Sequence, residues 1–400
     1  MRNSPMLDFP KEEYALRHQR LYDEMDACGV DTVIFTTQYN VRYFCGFQSV
    51  VWSSKISTPG LLIMARDGRC RLIGSRSAYE TMRYTSCLTD EQLLYYGAAA
   101  AGEHRPASYL QAITGTLTEF GAAGGRVGME LGSTMRLHMN QSLYQQLRAQ
   151  LPNMQPVDFT SHIWALRSVK SENEVQAMRR CAAISEAAYK KAFSSIEFGK
   201  TTEASLNIIY CAESYRQGAE REEPMIVCFG QGRYNAGNCP PSEKLITRTE
   251  HEVLLFDGGP IWRGYYSDTI REAVVGSMTE RQKDYAKVSQ EVLDYTLSNI
   301  KEGVNIRELM ERQDAYIDRH GYGDVNRTRG WTGHGIGLEI HEPPTISADC
   351  DWDLRAGNVL AVEPTIGDDT LGHFSHEENI VVTKDGYQLI SDFLPGIIVL

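Results

Sequence analysis

The segment FDGGPIWRGYYSDT carries an aspartate near each end, Asp257 and Asp268, with Gly-Gly-Pro and a further glycine between them. This pattern reads as two antiparallel strands joined by a turn. A turn centred on Trp262 and Arg263 sets the two aspartates opposite each other on one face, with Cβ atoms about 5 Å apart. Two like charges held there destabilise a sheet unless a cation lies between them. The chain is therefore expected to build a sheet that gathers acid in one place, with something positive to hold it.

A second stretch, VEPTIGDDTLGHFSHEEN, repeats the arrangement with Glu363 and Glu377, which face each other if the turn centres near Thr370. The glycine-flanked His334 of GHGIGLEIHEPP adds one imidazole. Taken alone, Asp257 and Asp268 read rather as loop-edge caps, and Glu363 and Glu377 as solvated strand residues. Both pairs together with His334 point to a metal site. Four carboxylates and one nitrogen suit Mn²⁺, Co²⁺, Zn²⁺ or Fe²⁺ in a two-metal centre and suit a thiolate-loving metal badly. His341, later in the same segment, reads by itself equally as a structural or a catalytic histidine.

Other chemistries find little support. GQGRYNAG follows a strand, but Asn235 occupies the place of the third glycine of a dinucleotide loop. His341-Glu342 and His376-Glu377 do not extend into HExxH, and no GxSxG elbow occurs. The nine cysteines form no CxxC pair, as expected of reduced thiols in a cytoplasmic protein. A net charge of −12 argues against nucleic acid or an anionic membrane as partner. The N-terminal stretch has no apolar core of signal-peptide length, and no apolar run approaches a membrane span.

The 400 residues exceed what one ordinary core supports, so two domains are expected, 1–165 and 166–400. The first reads as α/β: a helix ending at Gly29, strands in DTVIFTT and NVRYFCGF, a hairpin turning at Asp67-Gly68, a helix in PASYLQAITGTLTEFG and a strand in RVGMEL. The second opens with a capping box, Ser171 with Glu174, before a long helix. A second helix follows, then the strands MIVCFG, EVLLFDGG and GYYSDTIREAVVG. Another helix pair leads to GHGIGLEIHE, NVLAVEPTI, ENIVVTKDG and YQLIS, all strand-like. Helix pair then strands, twice over, suggests two similar halves packed on one sheet.

The motifs FDGG…SDT, GHGIGLEIHEPP, VEP and HEENIVVT resemble those of the pita-bread (M24) metallopeptidase family, which includes Xaa-Pro aminopeptidases, prolidases and creatinase. RSVKSENEVQAMRRCAAI and IFTTQYNVRYFCGF resemble it too, so the likeness spans essentially the whole chain. It implies an α/β (α+β) fold, a creatinase-like N-terminal domain followed by a pita-bread catalytic domain. Asp257, Asp268, His334, Glu363 and Glu377 become the ligands of two divalent ions that acidify a shared water. Glu363 becomes the general base, and His341 a hydrogen-bond donor to substrate or tetrahedral intermediate. The resemblance further implies a homodimer with a short-peptide or small-molecule substrate.

Two positions depart from the family pattern. Asn238 stands where relatives carry a histidine, and Ser375 where Xaa-Pro enzymes usually carry an arginine, with His373 and His376 nearby. Asparagine cannot shuttle a proton, and serine cannot form an arginine's bidentate fork. Asn238 and His376 are accordingly candidate substrate-binding residues. The main reading is an Xaa-Pro peptidase-like hydrolase. The alternative is a creatinase- or ectoine-hydrolase-like enzyme, or a lyase, acting on a small metabolite. A non-catalytic binding module comes last, because members of that kind lose metal ligands.

Overall fold

The computed structural model describes residues 6–54, 58–97, 105–222, 225–230, 239–390 and 396–400. The chain divides into two compact units, Met1–Leu166 and Arg167–Leu400. No described helix is long and apolar enough to cross a membrane, and the nine cysteines are all free.

The first unit is built on one mixed six-stranded sheet. Its strands run edge to edge as Leu93–Tyr96, Cys70–Ser75, Gly60–Ala65, Thr32–Phe35, Arg126–Met129 and Gln155–Asp158. The helix Lys11–Cys28 ends where Gly29 adopts the left-handed conformation, with φ 67°. Helices Tyr109–Glu119 and Gln141–Gln150 contribute Ile113, Leu117 and Leu147 to a core shared with Ile34, Leu61 and Val127 of the sheet.

One element differs from the sequence expectation. NVRYFCGF is not a strand but the end of a helix, Gln38–Cys45, capped by the Thr37 side chain and closed at left-handed Gly46. Residues Asn40 to Cys45 are all buried. A helix buried on every side shows no polar face, and its apolar run imitates a buried strand. The helix start is anchored by Glu130, itself fully buried, which accepts from both the main chain and the hydroxyls of Thr36 and Thr37 and from Asn40.

The second unit contains two helix pairs, Glu172–Ser194 with Glu203–Arg216 and Glu280–Ser298 with Ile306–Arg319. The capping box at Ser171 and Glu174 is present. The expected single sheet is corrected: the strands form separate ladders. One is four-stranded, in the order Ile398–Val399, Thr269–Val274, Val253–Gly258, Ile226–Phe229. Another is five-stranded, in the order Glu342–Ser347, Trp331–Gly335, Val359–Val362, Glu378–Val382, Tyr387–Leu389. GHGIGLEIHE is thus not one strand but the end of one and the start of the next. The first helix pair packs Tyr189, Phe193 and Tyr210 against Leu254 and Phe256 of the four-stranded ladder. The second packs Leu293, Leu297, Leu309 and Met310 against Leu360, Val362 and Ile380 of the five-stranded one. The second pair also reaches the other face of the four-stranded ladder, where Val253 and Val274 pack against Tyr285, Val288 and Ile317.

Candidate metal centre

Asp257 lies in the strand Val253–Gly258 and Asp268 just before Thr269–Val274. The ladder pairs Asp257 with Ile270, not with Asp268. The turn falls on Arg263 and Gly264, since Trp262 pairs with Tyr265. These two turn residues have φ of 50° and 81°. A two-residue hairpin matches strand twist when both central residues take positive φ, which glycine allows and tryptophan resists. The aspartates are therefore diagonal neighbours on one face rather than directly opposed.

The register expected for the glutamates holds. Val362 pairs with Glu378 and Thr365 with Ser375, so Glu363 and Glu377 fall opposite each other between those rungs. They stand where the five-stranded ladder hands over to the short hairpin Thr365–Asp368 and Gly372–Ser375.

His334 comes from the strand Trp331–Gly335, whose register with Glu342–Ser347 shifts on either side of it. Such irregularities re-aim a side chain. Gly333, with φ 150°, lets the strand approach its neighbour: a Cβ there would lie 2.1 Å from the carbonyl oxygen of Ala361. The His334 Nδ1 lies 3.0 Å from the Gly335 carbonyl oxygen. Its Nε2 is 3.6 Å from Asp268 and 3.5 Å from Glu363.

Three overlapping triads result: Asp257, Asp268 and Glu377; His334, Glu363 and Glu377; and Asp268, His334 and His341. Within each, one potential ligand atom per residue lies within 4.8 Å of the others. Among the described residues, Asp268 Oδ1 and both Glu377 carboxylate oxygens are buried with no hydrogen-bond partner. A buried, unsatisfied carboxylate is costly unless a cation meets it. Burial, then repulsion from the neighbouring carboxylates, pushes Asp257 and Glu377 well above the usual carboxylate range. Burial also lifts Asp268 to about 7, opposed by His334 and reinforced by Glu363. Burial opposes a charged His334, but Glu363 and Asp268 outweigh it and raise that pKa. Such a donor set fits divalent ions.

His341 is exposed, with its ring edge-on to His334 at a centroid distance of 4.1 Å. Desolvation and the neighbouring His334 lower its pKa to about 4. His376 is placed differently: its Nδ1 lies 3.2 Å from Ser289 Oγ, on the helix Glu280–Ser298, and it joins none of the triads. His373 and Ser375 are buried on the hairpin, and the Ser375 amide donates to Glu272. Asn238 lies outside the described residues, as does most of GQGRYNAG.

Sequence reasoning passes over several supporting residues. The Tyr189 hydroxyl donates to the Thr269 carbonyl at 2.6 Å and approaches the carbonyls of Phe256 and Gly258, which flank Asp257. Arg271 donates to the Glu377 carbonyl at 2.9 Å. Asn379 exchanges hydrogen bonds with the main chain of Asp268. Glu342, next to His341, is buried between Arg167 and Lys170. An asparagine within NIVV is the one legible signal, since strands disfavour it.

The fold and the cluster define a two-unit protein with a carboxylate–histidine centre suited to divalent metal. The model of metallopeptidase family M24 matches residues 176–384, and that of the creatinase/prolidase N-terminal domain matches residues 17–169. The chain belongs to metallopeptidase family M24 and is a hydrolase of that family. An uncharacterized peptidase of Bacillus subtilis is 27 % identical over 389 residues, 96 % of this chain and 100 % of that protein. The Xaa-Pro dipeptidase of Lactobacillus helveticus is 30 % identical over 247 residues, 61 % of this chain and 66 % of that one. Among solved structures, the Xaa-Pro dipeptidase from Bacillus anthracis superposes with a TM-score of 0.82 at 24 % identity. It covers 97 % of this chain and 100 % of its own. At that identity the likeness speaks for the fold alone.

Proposed function

We propose that this protein is an Xaa-Pro dipeptidase-like hydrolase that uses two divalent ions held by Asp257, Asp268, His334, Glu363 and Glu377. The observation that carries the reading is the convergence of these five residues around buried carboxylate oxygens that no hydrogen bond satisfies. The Xaa-Pro dipeptidase name of the Lactobacillus helveticus relative supplies the substrate class.

Divalent ions bound there would acidify a water and polarise the scissile carbonyl. Glu363, less buried than Glu377, takes a proton from the attacking water as its oxygen bonds the carbonyl carbon, and returns that proton to the leaving nitrogen as the C–N bond breaks. His341, exposed beside His334, donates a hydrogen bond to the oxygen that gains negative charge. The same reading takes manganese, cobalt, zinc or iron as the ions, a homodimer as the working assembly and the cytoplasm as its location.

A second reading, a creatinase-like enzyme acting on a small metabolite, is favoured by one observation. Ser375, where an Xaa-Pro enzyme usually has arginine, is buried with its amide on Glu272 and offers no guanidinium. Turnover by protein reconstituted with Mn²⁺, Co²⁺ or Zn²⁺ decides between them, on a panel of Xaa-Pro dipeptides, longer Xaa-Pro peptides, creatine and ectoine. Metal-dependent cleavage of prolyl dipeptides is the expected result. Silence on every peptide beside turnover of a small metabolite overturns the peptidase reading. Full activity of His334→Ala protein without bound metal overturns the two-metal mechanism.

A further inference from the structure

The four-stranded and five-stranded ladders meet at the centre, yet each supplies only part of the cluster. Asp257 and Asp268 come from one, and His334, Glu363 and Glu377 from the other. Something must hold the two sets at a separation that suits a cation, because carboxylates left to themselves repel.

One cross-strand row leads to the answer. His334 pairs with Ala361, and Ala361 pairs with Asn379, so the three residues share a face. Glu363 and Glu377 lie two residues along from Ala361 and Asn379 and share it as well. At the end of the row the Asn379 Oδ1 accepts from the Asp268 N–H at 3.0 Å, and its Nδ2 donates to the Asp268 carbonyl. A side-chain amide offers an acceptor and a donor side by side, as a strand's own backbone does. Asn379 therefore extends the ladder by one residue and fixes both the position and the rotation of Asp268.

Asn379 is fully buried in the strand Glu378–Val382, where the three residues after it, Ile380, Val381 and Val382, are aliphatic. An aliphatic residue would serve a strand better if only stability mattered. Arg271 braces the opposite direction, donating to the Glu377 carbonyl and to the Glu378 carboxylate.

We propose that Asn379 is a positioning residue that sets the distance between the two groups of metal-binding side chains, and through it metal affinity. The proposal rests on the metal reading above. Its test compares wild type with Asn379→Ala, with Asn379→Ser, which keeps a hydroxyl for one of the two bonds, and with Leu309→Ala as a core-destabilised control. Leu309 is buried in the packing under the opposite face of the five-stranded sheet. The readouts are Mn²⁺ affinity and stoichiometry by titration calorimetry, and the visible absorption of the Co²⁺-loaded protein, at a temperature where every variant is folded.

Asn379→Ala is expected to weaken Mn²⁺ binding on the order of 10- to 100-fold and to alter the Co²⁺ spectrum. Asn379→Ser should fall between it and wild type, and is the variant to read if Asn379→Ala fails to fold. Leu309→Ala should lose thermal stability and keep wild-type affinity and spectrum. Wild-type affinity in both Asn379 variants, or an equal loss in Leu309→Ala, overturns the proposal alone. Wild type that binds neither ion overturns the metal reading and this proposal with it.

Discussion

Replacing Glu342 by glutamine tests how the His341 segment is held. The Glu342 side chain is 1 % exposed, and the Arg167 and Lys170 side chains it meets are each 2 % exposed. Lys170 Nζ lies 3.0 Å away, Arg167 pairs with the other oxygen, and the Glu339 amide donates to it at 3.1 Å. A Cβ on Gly337 would come within 2.7 Å of the same carboxylate, so the turn leading to His341 is built around it. Burial opposes the charge, but Arg167 and Lys170 prevail and hold the pKa down to about 2, from an ordinary 4.5. The folded state thus favours the ionised form, and its contribution is complete above the unfolded pKa and lost as pH falls from 4.5 toward 2. That shift corresponds to roughly 3 kcal/mol at neutral pH, falling to less than half at pH 3.

Glu342→Gln also removes the buried negative charge that Lys170 and Arg167 share, though Arg167 keeps the Glu339 carboxylate at 3.0 Å, and breaking such a pair from one side costs about 3–5 kcal/mol. For a unit of this size the melting temperature should drop by about 6–20 °C. The assay is thermal and urea unfolding of wild type and Glu342→Gln at pH 7, 4 and 3, following the transition of the second unit. The deficit should be largest at pH 7 and shrink on acidification. A deficit under about 1 kcal/mol at pH 7, or one that grows toward pH 3, would refute an ionised Glu342 as the anchor.

Glu130→Gln should destabilise the first unit by at least about 2 kcal/mol in urea unfolding, because an NH₂ group would face the N–H and hydroxyl donors that the carboxylate now accepts. An unchanged transition would remove Glu130 as the anchor of the helix Gln38–Cys45. Gly333→Ala should abolish Mn²⁺ binding measured by calorimetry, since the added methyl collides with the Ala361 carbonyl beside His334; retained wild-type affinity would show that the strand can move aside. Asp257→Ala should lose activity and metal together while far-ultraviolet circular dichroism stays that of the folded chain, and full activity without metal would remove Asp257 from the centre.

Several of these features are legible in the amino-acid sequence. The helix boundaries at Gly29 and Ser171 follow from capping chemistry, which acts over a few residues and leaves a local signature. The Glu363–Glu377 register is readable because the strands flanking the turn keep one ladder alignment throughout. The Asp257–Asp268 register differs by one rung pair from the one their spacing suggests, since the sign of φ at Arg263 and Gly264 sets the turn. The helix Gln38–Cys45 imitates a strand because complete burial removes the polar face that marks a helix.

The sequence by itself determined which residues could gather into a charged centre and which of them share a strand face, because side-chain type and the two-residue pleat are local properties. Only the tertiary structure decided what holds those groups together. Asn379 reaches Asp268 from a residue far along the chain, Tyr189 reaches across from a helix, and Arg167 and Lys170 enclose Glu342. Such partners are chosen by the packing of sheets and helices, which brings distant segments within hydrogen-bond reach and removes the water that would otherwise serve them.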